Sequence, residues 1–214
     1  QMCIETAKAA VNGLLNAGSG LWTIGTNPIT IGSTKELVVN NANNGITITS
    51  AIGDNAGGAS SLTVVGSNTT TLSGSNSFTG GLTLGRGSLT LNNANAAGSG
   101  TIALVGNGVL NINPGITVAN PIRMDIDADR TTITAVGGGN SGLSGGITFT
   151  GTAGLFPTIN ANGSGTFTIS GGLTGTSFTG SPSLRGSGTG VLNGAVNIPN
   201  GGLDLNGSAT WTLN

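Results

Sequence analysis

The side chains with the clearest chemical potential occupy one short run, residues 123–130, which reads Arg-Met-Asp-Ile-Asp-Ala-Asp-Arg. In a β-strand this alternation places Asp125, Asp127 and Asp129 on one face, together with the first arginine. Three carboxylates on one face could bind Ca²⁺, which takes oxygen ligands. The run matches neither an EF-hand loop nor an RTX nonapeptide. We therefore favour an exposed strand whose aspartates pair with the flanking arginines, and we predict no bound metal or cofactor.

Enzymatic activity has little support in this sequence. The chain contains no histidine, which excludes a Ser-His-Asp triad, a Cys-His pair and an imidazole metal site. Its single cysteine, Cys3, excludes an intrachain disulfide, and leaves either burial as a small apolar residue or pairing between molecules. A polysaccharide-cleaving β-helix enzyme could use only residues 123–130, because a glycosidase needs two nearby carboxylates. Nothing in the composition indicates a cleft there, and we predict a non-catalytic protein.

The composition is dominated by small neutral residues. Of the 214 residues, 117 are Gly, Thr, Asn or Ser, 13 are charged, and the net charge is −1. Six scattered basic residues cannot form the positive surface that neutralises nucleic-acid phosphates, and no run of about 18 apolar residues could span a membrane as a helix. Disordered chains usually combine high charge with low hydropathy, whereas here 6% of residues are charged and the mean hydropathy is +0.22. We therefore expect an ordered chain that binds no nucleic acid and does not span a membrane.

After residue 17, apolar residues alternate with Thr, Asn or Ser in short bursts that glycine interrupts. The clearest bursts are Ile29–Ile31, Ile46–Ile48, Leu82–Leu84, Leu89–Leu91, Ile147–Phe149, Phe167–Ile169 and Leu203–Leu205. Period-two alternation is typical of half-buried strands, and no segment between the bursts has a helical period. The sequence therefore predicts an all-β fold.

The spacing between bursts favours a parallel β-helix, also called a β-solenoid. Three pairs of equivalent residues recur at 20 or 21 positions: Leu82 and Ile102, Leu89 and Leu110, and Ile147 and Phe167. One coil of a solenoid has about this length, so residues 18–214 would form about nine or ten coils that stack at about 4.8 Å. Asn, Thr and Ser would form hydrogen-bonded ladders along such a rod. The alternative is a Greek-key sandwich.

The N-terminal segment, residues 1–17, differs from the rest. Its apolar residues fall at helical spacing, and they are Ile4, Ala7, Val11, Leu14 and Leu15. Because a Gly-Ser-Gly sequence follows, we predict one short amphipathic helix here, separate from the solenoid domain of residues 18–214. Such a helix could cap one open end of the solenoid or dock on another chain.

The two tryptophans lie near the two ends of the chain in similar surroundings. Residues 18–24 read GSGLWTI, and residues 207–213 read GSATWTL. The echo indicates either two similar coils or a last coil that stacks on the first coil or helix of the next copy. In the second case the contact is head to tail and propagates as a filament, which would cover the strand edge at the end of the sequence. The predicted contact residues are Ile4, Val11, Leu15, Trp22, Trp211 and Leu213.

One segment, residues 73–112, reads SGSNSFTGGLTLGRGSLTLNNANAAGSGTIALVGNGVLNI. It resembles the autotransporter-associated β-strand repeat of bacterial autotransporter passengers. In that pattern an Asn, an aromatic-Thr-Gly-Gly and two short strands precede an Asn/Ala-rich segment that closes in Gly-Ser-Gly. Here Asn76, Phe78–Gly81 and Gly98–Gly100 fill those places, and Ser177–Gly180 is a degenerate second copy. The resemblance implies a right-handed β-helix outside a bacterial cell, used as a stalk, adhesin or fibre.

Together these features predict an extracellular or cell-surface structural protein, a β-solenoid subunit that stacks end to end on copies of itself. One alternative is an adhesin or phage-fibre-like segment that binds glycans or a surface along its Asn/Thr face. A polysaccharide-active enzyme is the other alternative. No membrane-barrel sequence follows and no signal peptide precedes Gln1, so we expect a mature, processed chain rather than a complete autotransporter.

Overall fold

Short strands of the chain pair with strands one coil away rather than with their neighbours in sequence. The computed structural model describes residues 9–125, 131–151 and 156–214, and these residues form 26 strands and no helix. Every pairing between these strands is parallel. The chain is therefore a parallel β-solenoid, as predicted.

Two long sheets of nine strands each form two sides of the coil. Sheet 1 consists of β2 (Gly13–Asn16), β5 (Glu36–Asn41), β8 (Ser61–Gly66), β10 (Leu82–Leu84), β12 (Ile102–Val105), β15 (Ile122–Asp125), β18 (Ile147–Thr150), β21 (Leu173–Thr174) and β24 (Val196–Asn197). Sheet 2 consists of β3 (Trp22–Ile24), β6 (Ile46–Ile48), β9 (Thr69–Leu72), β11 (Gly87–Leu91), β13 (Gly108–Ile112), β16 (Thr132–Ala135), β19 (Thr158–Ala161), β22 (Ser183–Gly186) and β25 (Asp204–Leu205).

The third side of the coil is divided into two shorter sheets. Sheet 3a consists of β1 (Ala9–Val11), β4 (Ile29–Ile31) and β7 (Ile52–Gly53). Sheet 3b consists of β14 (Thr117–Val118), β17 (Ser141–Leu143), β20 (Thr166–Ile169), β23 (Thr189–Leu192) and β26 (Thr210–Leu213). Between them, residues 73–81 and 92–101 form no strand. The chain thus passes in turn through sheet 1, sheet 2 and the third side.

The nine strands of each long sheet give about eight full turns, fewer than the nine or ten coils expected. The difference arises because coil length varies. Leu82 and Ile102 are register partners 20 residues apart, as predicted, but Ile147 pairs with Leu173, which is 26 residues away. The predicted pairing of Ile147 with Phe167 is therefore wrong, because the connection between β18 and β19 is long and Phe167 lies in sheet 3b.

The core consists of apolar columns in which each residue stacks on its register partner. One column of sheet 1 is exposed by 1% or less throughout and contains Leu37, Leu62, Leu82, Ile102, Ile122, Ile147 and Leu173. A second inward column contains Val39, Val64, Leu84, Leu104, Met124 and Phe149. Burial of one such side chain contributes about 1.5–3 kcal/mol, so these columns supply the main driving force for stacking.

Where the third side has no strand, buried side chains join the coils instead. Phe78 is fully buried, and its ring lies so close to Gly98 of the next coil that a side chain there would collide with it. Asn76 bridges coils on both sides, because its Oδ1 accepts from Ile52 N (2.8 Å) and its Nδ2 donates to Ala96 O (2.6 Å). The Asn and the aromatic residue of the 73–112 segment therefore both have structural roles.

The second Phe-Thr-Gly sequence occupies a different part of the coil. Phe178 is also fully buried, and its ring packs on Phe149 with centroids 5.5 Å apart. It lies between β21 of sheet 1 and β22 of sheet 2, however, whereas Phe78 lies on the third side. The two Phe-Thr-Gly sequences therefore bury their aromatic rings at different places in the coil.

The predicted N-terminal helix is wrong for the residues of this segment that the structure describes. Residues 9–16 form β1 and β2, and β2 continues sheet 1 by pairing with β5. Gly13 disfavours a helix. In addition, β5 lies beside β2 and supplies a parallel partner strand. Leu14 is buried and Leu15 is exposed, so the two leucines lie on opposite faces as in any strand. Residues 1–8, which include Cys3 and Ile4, lie outside the described residues.

Two adjacent residues of β12, Leu104 and Val105, test the alternation of inward and outward side chains along a strand. Leu104 is fully buried and Val105 is 37% exposed. We expect Leu104→Ala to lower the free energy of unfolding by about 3 kcal/mol through lost burial and a cavity. Val105→Ala should lower it by about 0.5 kcal/mol or less. Urea titration followed by circular dichroism measures both, and equal losses would contradict the assigned register.

Candidate functional site

The last described coil exposes apolar side chains whose counterparts in the preceding coil are buried. Its strands β24, β25 and β26 are the terminal strands of sheets 1, 2 and 3b. Leu205 and Leu213 are 60% and 48% exposed, whereas their register partners Leu184 and Leu192 are each 1% exposed. Val196 in β24 shows the same contrast with its own partner. Among the described residues, these three strands therefore have a partner strand on one side only, and their inward apolar side chains are exposed.

Trp211 covers part of the same end. Its register partner is Gly190, and a side chain at that position would collide with the indole ring. The indole Nε1 donates a hydrogen bond to Arg185 O in sheet 2 (3.2 Å). The half-buried ring thus crosses the core from sheet 3b to sheet 2 and packs against the apolar cluster beneath it. It shields the centre of the core but leaves Leu205 and Leu213 exposed.

At the other end, β1, β2 and β3 are the terminal strands of their sheets among the described residues. Trp22 in β3 and Val11 in β1 are half-buried and pack against the core. Leu15 in β2 is 56% exposed and stacks in the outward column with Asn40. Leu15 therefore faces the side of the rod rather than the end of its core, and the predicted contact residue Ile4 lies outside the described residues.

The similar sequences around the two tryptophans do not occupy the same position in the coil. Trp22 belongs to sheet 2 and Trp211 to sheet 3b, so the two segments form different sides of their coils. Both side chains nevertheless lie in a terminal strand and pack against the core at opposite ends of the described solenoid. Their role in a contact between copies stays a prediction.

The acidic run is described only as far as its first aspartate. Arg123 Nη1 and Asp125 Oδ2 are 2.9 Å apart on the outer face of β15, and both side chains are about one third exposed or more. Such a pair contributes about 0–1 kcal/mol. Asp127 and Asp129 lie outside the described residues, and no three His, Cys, Asp or Glu side chains within the described ranges are grouped to hold a metal ion. The ion pairing is present at Asp125, and the calcium hypothesis stays untested.

Asp54 is held by three hydrogen bonds that sequence reasoning did not identify. Its Oδ1 accepts from Ser60 N (2.8 Å) and Thr79 N (2.9 Å), and its Oδ2 accepts from Thr79 Oγ1 (2.8 Å). Partial burial raises the pKa of Asp54, but these hydrogen bonds outweigh burial and hold the pKa below its usual value of 3.8. Asp54 thus fastens the 54–60 loop to the next coil. The sequence offers no signal for this, because Thr79 is 25 residues away.

Comparisons of the chain with protein-family models, with curated proteins and with solved structures found no match. None of the described residues forms a helix that is long and apolar enough to cross a membrane. Among the described residues, the surface formed by β24, β25 and β26 is the strongest candidate for a functional surface, because Leu205 and Leu213 are exposed there.

The lowered pKa of Asp54 predicts a specific acid sensitivity. Because the folded-state pKa lies below 3.8, the ionised carboxylate contributes stability above that pH, and the contribution is lost as the pH falls through the folded-state pKa. Wild type should melt at a higher temperature than Asp54→Asn near neutral pH, and the gap should close in acid. Thermal melts at a series of pH values measure this. A gap that stays constant with pH would contradict the hydrogen-bonded carboxylate.

Proposed function

We propose that this chain is a non-catalytic structural subunit that stacks end to end on copies of itself to form an extracellular filament or surface stalk. The observation that carries the proposal is the last described coil, where Leu205 and Leu213 are exposed although their partners one coil earlier are buried. Exposed apolar patches commonly mark interaction sites, and an open strand edge is a template for pairing with another chain.

A second copy of the chain is the partner that fits this end best. The three terminal strands β24, β25 and β26 present one strand for each side of the coil, and β1, β2 and β3 do the same at the opposite end. A parallel contact would therefore continue all three sheets across the junction and cover the apolar columns. Because the two surfaces differ, the contact is heterologous, and such contacts generate open filaments when the rotation does not close.

Low charge supports close stacking of copies. The net charge of the chain is −1, and the charged side chains at this end, Arg185 and Asp204, lie 3.8 Å apart as a pair. Little electrostatic repulsion would therefore oppose association, since repulsion between like copies grows with net charge.

The location, the handedness and the lack of catalysis belong to the same proposal. Resemblance of residues 73–112 to the autotransporter repeat supports a position at the bacterial cell surface and right-handed winding, which is also the usual hand of parallel crossover connections. The absence of histidine from the sequence supports a structural rather than a catalytic role.

A binding segment of the adhesin or phage-fibre type is the second candidate, and the outer face of sheet 2 favours it. Uncharged polar residues stack there in register as Thr23, Thr47, Thr71, Thr90, Asn111, Thr134 and Asn160. Two steps of the column are hydrogen-bonded, because Asn111 Nδ2 donates to Thr90 Oγ1 (3.4 Å) and Asn160 Nδ2 donates to Thr134 Oγ1 (3.2 Å). Its remaining donors and acceptors could bind glycan hydroxyl groups along the rod.

The stacking proposal predicts the effect of a charge at the exposed end. Leu213→Lys should abolish filaments, because each junction loses about 2 kcal/mol of apolar burial and gains a buried charge. The matched control is Val105→Lys, which places the same charge at a similarly exposed residue on the outer face of sheet 1, away from the ends. Negative-stain electron microscopy and sedimentation velocity report assembly. The proposal fails if wild type stays monomeric at high concentration, or if both variants assemble equally well.

A further inference from the structure

A polar groove lies at the corner between sheets 1 and 2. It contains none of the residues of the acidic run or of the exposed end. Three successive coils turn this corner with only two residues each, namely Ser67-Asn68, Gly85-Arg86 and Gly106-Asn107. The preceding connection, residues 42–45, has four residues. The three short turns leave an open groove of about 660 Å³ along the corner, which is within the usual size range of ligand sites.

Glycines at or beside two of these turns let successive coils approach closely. Gly66 and Gly106 have φ values of +120° and +152°, a region that favours glycine. A Cβ atom at either position would also collide with the backbone of the preceding coil, at Asn41 O and Gly85 O respectively. The coils therefore nest closely at this corner.

The lining combines neutral hydrogen-bonding groups with one cation. Its polar side chains are Ser67, Asn68, Thr69, Ser88, Asn107 and Arg86, and it contains no acidic and no aromatic residue. Arg86 is exposed and makes no hydrogen bond or ion pair with any residue in the described ranges. The other two described arginines, Arg123 and Arg185, each have an aspartate partner. The groove thus holds an exposed guanidinium group that pairs with no carboxylate in the described part of the chain.

We propose that this groove binds an acidic saccharide, with Arg86 on a sugar carboxylate or sulfate group. A planar guanidinium matches a carboxylate or sulfate through two parallel hydrogen bonds. The surrounding hydroxyl and amide groups match the hydroxyl groups of the sugar. A neutral saccharide would leave Arg86 unpaired and would find no aromatic ring to stack on, and nucleic acid would need many more cations than one. The site is separate from the exposed end, so it does not depend on filament formation.

Titration of the full-length Leu213→Lys variant, which the stacking proposal expects to remain monomeric in solution, tests the site with oligogalacturonate and with a sulfated galactan oligosaccharide. Fully methyl-esterified oligogalacturonate is the neutral control. Backbone amide shifts in NMR spectra locate the binding. We expect at least one acidic probe to shift the amides of Ser67, Arg86 and Asn107 and to bind more weakly as salt is added. Arg86→Gln should weaken that binding by about tenfold, and Arg86→Lys should retain part of it. Arg185→Gln is the matched control, and it removes an arginine outside the groove.

Four results would overturn the proposal. The first is that neither acidic probe binds, and the second is that the methyl ester binds as tightly as the acidic oligogalacturonate. The third is that Arg185→Gln weakens binding as much as Arg86→Gln does. The fourth is that single-stranded DNA of the same charge binds as tightly as the acidic probes. A failure here leaves the assembly of wild type and Leu213→Lys unchanged, so the two proposals are tested separately.

Discussion

The described strands form their backbone hydrogen bonds with strands one coil away, in parallel and in register. A shift of one residue in any strand would move its apolar side chains from the core to the surface, so one register is strongly favoured. The columns from Leu37 to Leu173 and from Val39 to Phe149 show the result, because every coil places an apolar residue over the one before it. The same ladder that holds the coils together leaves an unpaired edge at the last described strands, and the proposed assembly follows from that edge.

Stacking in register also explains the unusual composition. A side chain on the outer face lies about 4.8 Å from its counterpart in the next coil, where like charges repel and neutral Thr and Asn side chains can hydrogen-bond. The bonds from Asn111 to Thr90 and from Asn160 to Thr134 are examples. The charged residues that do occur are paired or hydrogen-bonded at Arg123, Arg185 and Asp54. Arg86 departs from this pattern, and the inference about the groove rests on that departure.

Local alternation and spacing were sufficient to predict the solenoid, since Leu82 and Ile102, and Leu89 and Leu110, are register partners. They failed where the relevant partner is distant. Residues 9–16 have a helical pattern in isolation, but they form two strands, β1 beside Ile29–Ile31 and β2 beside Val38–Asn41. The bonds of Asp54 to Thr79 and the contact of Trp211 with Gly190 depend on which residues the coil brings together, and coil length varies from 19 to 26 residues. One sequence does not reveal those lengths.

X-ray diffraction from oriented filaments of the chain tests end-to-end stacking most directly. If the copies continue the parallel sheets of one another, the strands lie across the filament axis, and their spacing of about 4.8 Å gives a strong reflection along that axis. Filaments in which this reflection lies perpendicular to the axis would mean that the rods associate side by side, and would contradict the account.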